Sequence, residues 1–119
     1  MKMPQFRSYI NSNGKDEFKE FYQRLPVADQ RKLAAAIMIT EEKGLVIASR
    51  LEIIKKLEHN LFELRSQRGS NIQRALYFHV VDDHYVITHG FTKKTQKTPR
   101  REVEHAKTIR AEFNRRKKV

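Results

Sequence analysis

The spacing of apolar residues changes in the middle of this chain, from helical before His59 to strand-like after it. Four apolar residues fall at i, i+3, i+4 and i+7, the pattern of one helix face: Phe18, Phe21, Tyr22 and Leu25. Pro26 ends this helix and stands near the start of a second one, which Gly44 closes. Residues 6–10 precede both helices as a short strand. The first half therefore predicts a strand followed by a helical hairpin.

The second half of the chain predicts three strands and a final helix. Residues 61–65, 72–81 and 85–91 are rich in β-branched and aromatic side chains, and turn residues separate them. Thr98 is the expected N-cap of the last helix, in which four residues form a narrow apolar stripe: Val103, Ala106, Ile109 and Phe113. Residues 45–57 are apolar without a clear period, which indicates a loop with a short helical piece.

This order of elements predicts a small α+β fold, in which an N-terminal strand and helical hairpin precede a three-stranded antiparallel meander and a C-terminal helix. The helices are expected on one face of the sheet, which leaves the other face open to a ligand. With 119 residues and 39% hydrophobic content, the chain is expected to form one domain over residues 1–119.

The composition indicates a cytoplasmic protein. Cysteine is absent, which excludes disulfides and cysteine-ligated zinc and suits a reducing compartment. The first seven residues, MKMPQFR, lack the apolar core of an export signal, and no later run approaches the roughly 20 apolar residues of a membrane span. We therefore expect a soluble, cytoplasmic chain that does not engage a membrane.

The net charge of +11 is concentrated towards the C-terminus. Eleven Lys or Arg and three Glu lie between Thr92 and Val119, so this segment carries +8. A focused basic surface favours a polyanionic partner, because each neutralised phosphate releases condensed counterions. Nucleic acid or the ribosome is the expected partner. The alternatives are a solvated basic tail with no partner and an anionic membrane surface.

The sequence lacks the motifs of cofactor-dependent and metal-dependent enzymes. It has no phosphate-binding loop, dinucleotide fingerprint or G-x-S-x-G, and its five histidines show no usual metal spacing. Carboxylates in the strand region are limited to Glu63, Asp82 and Asp83, too few for a two-metal nuclease. No metal and no cofactor is expected, so phosphoryl chemistry would depend on cationic side chains.

Two arginines stand in the predicted strands. Arg65 ends one strand and Arg74 lies near the start of the next, so the two are about 5 Å apart at Cβ if the hairpin opposes them directly. Converging guanidiniums repel each other unless an anion lies between them, and a phosphate accepts bidentate hydrogen bonds from such groups. The alternative is a surface ion pair in which Glu63 or Asp82 neutralises them.

His89 and Lys93 are four residues apart, so an uninterrupted strand turns both to the same face as Ile87 and Phe91. Residues 93–99 form a basic, hydroxyl-rich segment that runs into the N-terminus of the last helix, an arrangement that suits phosphate binding. The alternatives are that His89 packs at the strand end and that the segment is a solvated loop.

The run from His89 to Ala106, HGFTKKTQKTPRREVEHA, closely resembles the signature of phage-derived HigB-like toxins of the RelE/ParE superfamily. LFELR at residues 61–65 is similar to their other hallmark. The resemblance covers about the last 60 residues in motif and the whole chain in element order. It implies a RelE-like fold, cleavage of messenger RNA on the ribosome or free, inhibition of translation, and a cognate antitoxin that neutralises the toxin.

The resemblance also implies which residues form the site. Arg65, Arg74, Lys93 and Lys94 match the family's cationic positions, whereas its proton-transfer residue varies, so that His89, Tyr77 and Lys93 compete for that role here. The expected catalytic residues are Arg65, Arg74, His89 and Lys93. The residues expected to bind RNA are Tyr77, Lys94, Lys97, Arg100 and Arg101.

The mechanism expected for this set is metal-independent. The ribose 2′-OH attacks the adjacent phosphate in line, which gives a 2′,3′-cyclic phosphate and a free 5′-OH. Arg65 and Arg74 would stabilise the transition state. Lys93 would bind phosphate or help to deprotonate the 2′-OH, and His89 would donate a proton to the leaving oxygen. Three alternatives stay open: RNA or ribosome binding without cleavage, inhibition of DNA gyrase as by ParE-like toxins, and an inert prophage remnant.

Overall fold

The computed structural model describes residues 3–117 of the chain. Four residues lie outside this range. They are Met1 and Lys2, in the N-terminal segment expected to lack an export signal, and Lys118 and Val119, in the basic run at the C-terminus. In chain order the elements are β1 (Gln5–Ser8), α1 (Glu17–Arg24), α2 (Val27–Lys43), α3 (Leu45–Arg50), β2 (Ile54–Glu58), β3 (Leu61–Arg68), β4 (Asn71–Val81), β5 (His84–Lys93) and α4 (Arg100–Lys117).

The strands form one mixed sheet in the order β1-β5-β4-β3-β2. β1 runs parallel to β5, and the other neighbours are antiparallel. The predicted α+β class is confirmed. None of the helices between residues 3 and 117 has both the length and the apolar content needed to cross a bilayer.

The helix ends follow local side-chain chemistry. The carboxylate of Asp16 caps α1 by accepting the backbone N–H of Lys19 at 3.0 Å. Gly44 ends α2 with a φ of 90°, as predicted. The prediction that Thr98 caps the last helix was wrong, because α4 begins at Arg100 and the Thr98 hydroxyl donates instead to Glu63.

The antiparallel meander has four strands rather than the predicted three. The segment interpreted as a loop contains α3 and then β2, whose residues pair with β3 from Ile54 opposite Leu64 to Glu58 opposite Leu61. A helix and an edge strand follow each other within 14 residues here, so neither period extends far enough to be recognised. Lys55 and Lys56 are exposed on this edge strand, where charge discourages pairing with another chain.

Helices cover both faces of the sheet, so the prediction of an open face was wrong. On one face, Phe18 of α1 and Leu33 of α2 pack against Tyr77. On the other, Val103 and Ala106 of α4 pack against a cluster that includes Leu76. The physical reason is visible in β4, where residues 72–78 are all buried: a strand that is apolar on both sides must be covered on both sides.

A bulge between β4 and β5 changes which side chains share a face. The register shifts after Leu76, which pairs with His89, so that Tyr77 pairs with Ile87. Ile87 therefore joins the cluster under α1 and α2, while Phe91 joins the cluster under α4. The expectation that Phe91 shares a face with His89 is confirmed, since their rings stack at 5.8 Å. The same expectation was wrong for Ile87, because it assumed an uninterrupted strand.

Gly90 lets α1 approach β5, which gives a prediction for stability. A Cβ atom at this position would lie 2.3 Å from Cδ2 of Phe21, well inside van der Waals contact. We expect Gly90→Ala to lower the free energy of unfolding by about 1–3 kcal/mol, because the aromatic ring must move within a packed core. Urea denaturation measures this.

The matched control is Gly69→Asn. Gly69 has a φ of 63° in a turn, and a Cβ there meets nothing within 4 Å. Asparagine tolerates this left-handed conformation, so the control should unfold close to wild type. Equal destabilisation of the two variants would contradict the steric explanation.

Candidate nucleic-acid interface

The two strand arginines lie directly opposite each other, with a buried carboxylate beside them. Arg65 of β3 pairs in register with Arg74 of β4. Glu63, whose side chain is 0% exposed, lies with one oxygen 3.8 Å from Nη1 of Arg74 and the other 3.9 Å from Nη1 of Arg65. Glu63 thus supplies the neutralising charge, but in the interior and not in the surface ion pair considered as an alternative.

Arg74 fastens the segment that joins β5 to α4. Its Nη2 donates to the carbonyl oxygen of Thr95, and its Nη1 lies 3.5 Å from the Thr98 hydroxyl. That hydroxyl donates in turn to Glu63. Residues 94–99 therefore lie over the arginine and hide it completely, since its side chain is 0% exposed.

The buried charges of this network carry a free-energy cost, because they are removed from water. Burial lowers the pKa of the Arg74 guanidinium, Glu63 opposes that shift, and the positive charge of Arg65 adds to it. Oε2 of Glu63 and Nε of Arg74 are buried without a hydrogen-bond partner in the described part of the chain. Removal of Glu63 would leave the buried charge of Arg74 without a carboxylate, and removal of Arg74 would leave Glu63 with only the partly exposed Arg65.

Arg65 is the more accessible of the two arginines, with a side chain 20% exposed. Its Nη1 donates to Oε1 of Gln96 and its Nε donates to the backbone oxygen of Glu52, each at 3.2 Å. These contacts aim the guanidinium towards the edge of the sheet. Arg65 can therefore meet a phosphate that Arg74 cannot reach.

A basic cleft of about 530 Å³ lies between edge strand β2 and the start of α4. Two of its cations, Lys97 and Arg100, were predicted to bind RNA, and two from β2, Lys55 and Lys56, were not. The β2 lysines were missed because their segment was interpreted as a loop. The feature of the sequence that could have identified them is a pair of adjacent lysines in an otherwise apolar segment.

The remaining predicted cations differ in their surroundings. Lys93 is half-buried, while Lys94 and Lys97 are exposed, and none of the three forms an ion pair within residues 3–117. Arg100 is paired with Glu58 at 3.1 Å and with Glu104, and Arg101 lies 3.8 Å from Glu102. The lysines are therefore the cations most available to a phosphate backbone.

His89 is held inside the protein between β5 and α4. The residue is 5% exposed, Nε2 lies 3.0 Å from Oε1 of Glu102, and Nδ1 lies 3.0 Å from the hydroxyl of Thr88. Burial lowers the pKa of its imidazole, the Glu102 hydrogen bond opposes this, and nearby His105 lowers it further. With both nitrogens engaged, His89 anchors α4, which corresponds to the packing alternative.

Tyr77 is not part of this surface. It is 1% exposed and lies in the core under α1 and α2, on the sheet face opposite Leu76 and α4. Phe6 and Phe62 pack against its ring, and burial raises the pKa of its phenol. This position does not support the predicted contact with RNA.

Within the described range, no group of three or more His, Cys, Asp or Glu side chains is arranged to hold a metal ion. The arrangement that is present can bind a polyanion, because lysines line the basic cleft and Arg65 hydrogen-bonds to Gln96 in its lining.

Residues 20–111 of the chain match a family model described as phage-derived protein Gp49-like (DUF891). The match spans all of the surface described above. No curated protein matches the chain.

The Glu63–Arg74 pair predicts a large difference between the two arginines. Arg74→Ala leaves Glu63 buried without its closest cation and should lower the free energy of unfolding by about 3–5 kcal/mol. Arg65→Ala should cost about 1 kcal/mol or less, because that side chain is partly exposed and Arg74 still neutralises Glu63. The measurement is urea denaturation at neutral pH.

A double variant provides the check. Glu63→Leu combined with Arg74→Met removes both charges at similar volume, so it should be markedly more stable than Arg74→Ala alone. If it were no more stable, the loss in the single variant would come from packing and not from an uncompensated charge.

The buried position of His89 predicts a pH dependence of stability. Its folded-state pKa lies below the ordinary value of 6.5, so between these two values the unfolded chain binds more protons than the folded one. Stability should therefore fall as the pH is lowered from 7 through 6.5 towards 5. His89→Gln removes this titration, so the slope of unfolding free energy against pH should be shallower, and an unchanged slope would refute this explanation.

Proposed function

The chain belongs to the Gp49-like family of phage-derived proteins, and on this premise we propose that it is the toxin of a type II toxin–antitoxin pair, an endoribonuclease that cuts messenger RNA. The observation that carries the proposal is the basic cleft between β2 and α4, which leads to Arg65. Its cations lie where a single strand could follow the edge of the sheet.

The proposed reaction uses the substrate's own 2′-OH as the nucleophile. The 2′ oxygen forms a bond to the adjacent phosphorus as the bond from phosphorus to the 5′ oxygen breaks. The 2′ proton passes to solvent water, and the leaving 5′ oxygen takes a proton from the Lys93 ammonium. The products are a 2′,3′-cyclic phosphate and a free 5′-OH, so DNA, which has no 2′-OH, is not a substrate.

We propose different roles for the expected site residues. Arg65, which is partly exposed, would stabilise charge on the phosphate in the transition state, and the exposed Lys94 and Lys97, expected to bind RNA, would bind flanking phosphates. Arg74 acts as a positioning residue that holds residues 94–99 in place. His89 likewise positions α4 through Glu102. We therefore assign to Lys93 the proton donation that was expected of His89.

The finer classification rests on the motifs of the sequence. HGFTKKTQKTP and LFELR favour a HigB-like toxin of the RelE type, with a RelE-like fold. We propose a cytoplasmic toxin that inhibits translation by cutting messenger RNA on the ribosome. The ribosome's RNA surface would also favour a chain with a net charge of +11.

A protein antitoxin is the proposed second partner, and a groove beside α3 is the surface proposed to bind it. The groove has a volume of about 500 Å³ and lies between α3 and the face of the sheet that carries Phe62. Val46, 66% exposed, forms part of its apolar wall, and Arg50 and Lys56 are basic residues at its rim. An apolar segment with acidic side chains complements both features.

The test is induction of the chain in a bacterial host, followed by primer-extension mapping of messenger RNA ends. Wild type should stop growth and create new ends within translated regions. Lys93→Gln should reduce cleavage about 100-fold, because one preorganised cation is lost at the reacting phosphate. Lys43→Gln, an exposed lysine at the end of α2, is the matched control and should cut like wild type.

Two results would overturn the proposal. Growth arrest with intact RNA would refute cleavage and would direct attention to DNA gyrase. Cutting of a substrate whose scissile nucleotide carries 2′-deoxyribose would refute the 2′-OH mechanism.

A further inference from the structure

A second cleft, of about 560 Å³, lies at the free edge of β3 next to Arg65. The pairing of β2 with β3 ends at Leu64, and the backbone N–H of Arg65 still donates to the oxygen of Ile53 at 2.8 Å, so the edge of β3 is left to face α2 only beyond Arg65. Gln96 lines both this edge cleft and the basic cleft of β2 and α4. The two clefts therefore meet at the Arg65–Gln96 hydrogen bond.

The edge cleft has cations at two places and apolar walls between them. Lys32 of α2 donates from Nζ to the backbone oxygen of Gln67 at 3.2 Å, which places its ammonium over the cleft, and Arg65 borders the other side. Ile39 and Leu51 contribute to the apolar lining, and Leu51 is 57% exposed. A pocket of this size with a few convergent polar groups is typical of a small-ligand site.

One further observation points to a ligand. Ser66 lines this cleft, and its hydroxyl oxygen is buried without a hydrogen-bond partner in the described chain, a state that native structures usually avoid. Glu52 is also in the lining, and its backbone oxygen accepts from Arg65. Its φ of 60° belongs to the C-terminal cap of α3, where the backbone N–H of Ile53 donates to the oxygen of Ala48 at 2.9 Å.

We infer that the edge cleft binds one nucleotide of single-stranded RNA next to the scissile phosphate. Its phosphate lies between Lys32 and Arg65, and its base enters against the apolar wall. Ser66 and Glu52 there offer hydrogen bonds to the base edge, the usual way in which unstacked RNA bases are recognised. This inference rests on the proposed function and adds a base-reading pocket to it.

The test is binding of a 2′-O-methyl RNA hexamer, which cannot be cleaved, measured by fluorescence anisotropy. Lys32→Gln should weaken binding about tenfold, the loss expected for one charged hydrogen bond to phosphate. Ala35→Phe, on the exposed turn of α2 that lines the cleft, should block the base and weaken binding at least as much. Lys43→Gln is the control on the same helix and should bind like wild type.

A direct measurement separates the cleft from the proposed reaction. Titration with a nucleoside 5′-monophosphate should shift the amide NMR signals of Ser66 and Gln67 in wild type and not in Ala35→Phe. Shifts there without RNA cleavage in cells would refute the proposed function and support the cleft. RNA cleavage in cells with wild-type hexamer affinity in both Lys32→Gln and Ala35→Phe would overturn the cleft and leave the function intact.

Discussion

Glu63 and Arg74 face each other from neighbouring strands in a place that water does not reach. Ions removed from water need close partners, and this pair obtains them from the segment between β5 and α4, through Thr95 and Thr98. The cationic segment is thereby tied to the centre of the sheet, although its lysines point outward. The shape of the basic surface proposed to bind RNA therefore depends on a charge pair buried beneath it.

The division between buried and accessible cations explains how one face of the sheet can be covered by a helix and still present cations at its rim. α4 seals the apolar part of that face with Val103 and Ala106, where no polar ligand is needed. Cations remain accessible where the cover ends, along β2 and the segment before α4. A polyanionic ligand can therefore reach these cations along the rim of the sheet and not across its centre, which is the path that the proposed function gives to RNA.

Much of the architecture could be predicted from local patterns. The helical spacing from Phe18 to Leu25, the break at Pro26 and the strand-like run around residues 72–81 all correspond to elements of the structure. The bulge beside Leu76 could not be predicted, because a single shift in pairing leaves the composition of both strands unchanged. It moved Ile87 to the other face.

The residue types of the candidate site could be predicted from the sequence better than their positions relative to one another. The register of Arg65 with Arg74 follows from a short hairpin, and the structure has it. Their unequal exposure depends on residues 94–99 folding back over one of them, which no pattern in either strand encodes. His89 and Tyr77 carry the right chemistry, but their burial is decided by helices outside their strands: α4 covers His89, and α1 and α2 cover Tyr77.

The parallel pairing of β1 with β5 also affects how the chain is made. Gln5 pairs with His84, which is synthesised about eighty residues later. β1 can therefore join the sheet only after the whole intervening segment has been made and its ends have come together. At ribosomal rates of about 5–20 residues per second, that delay lasts roughly 4 to 16 s. Thr95 and Thr98 emerge later still, so the nascent chain acquires its finished surface last. A protein that binds newly made chains has that interval in which to act.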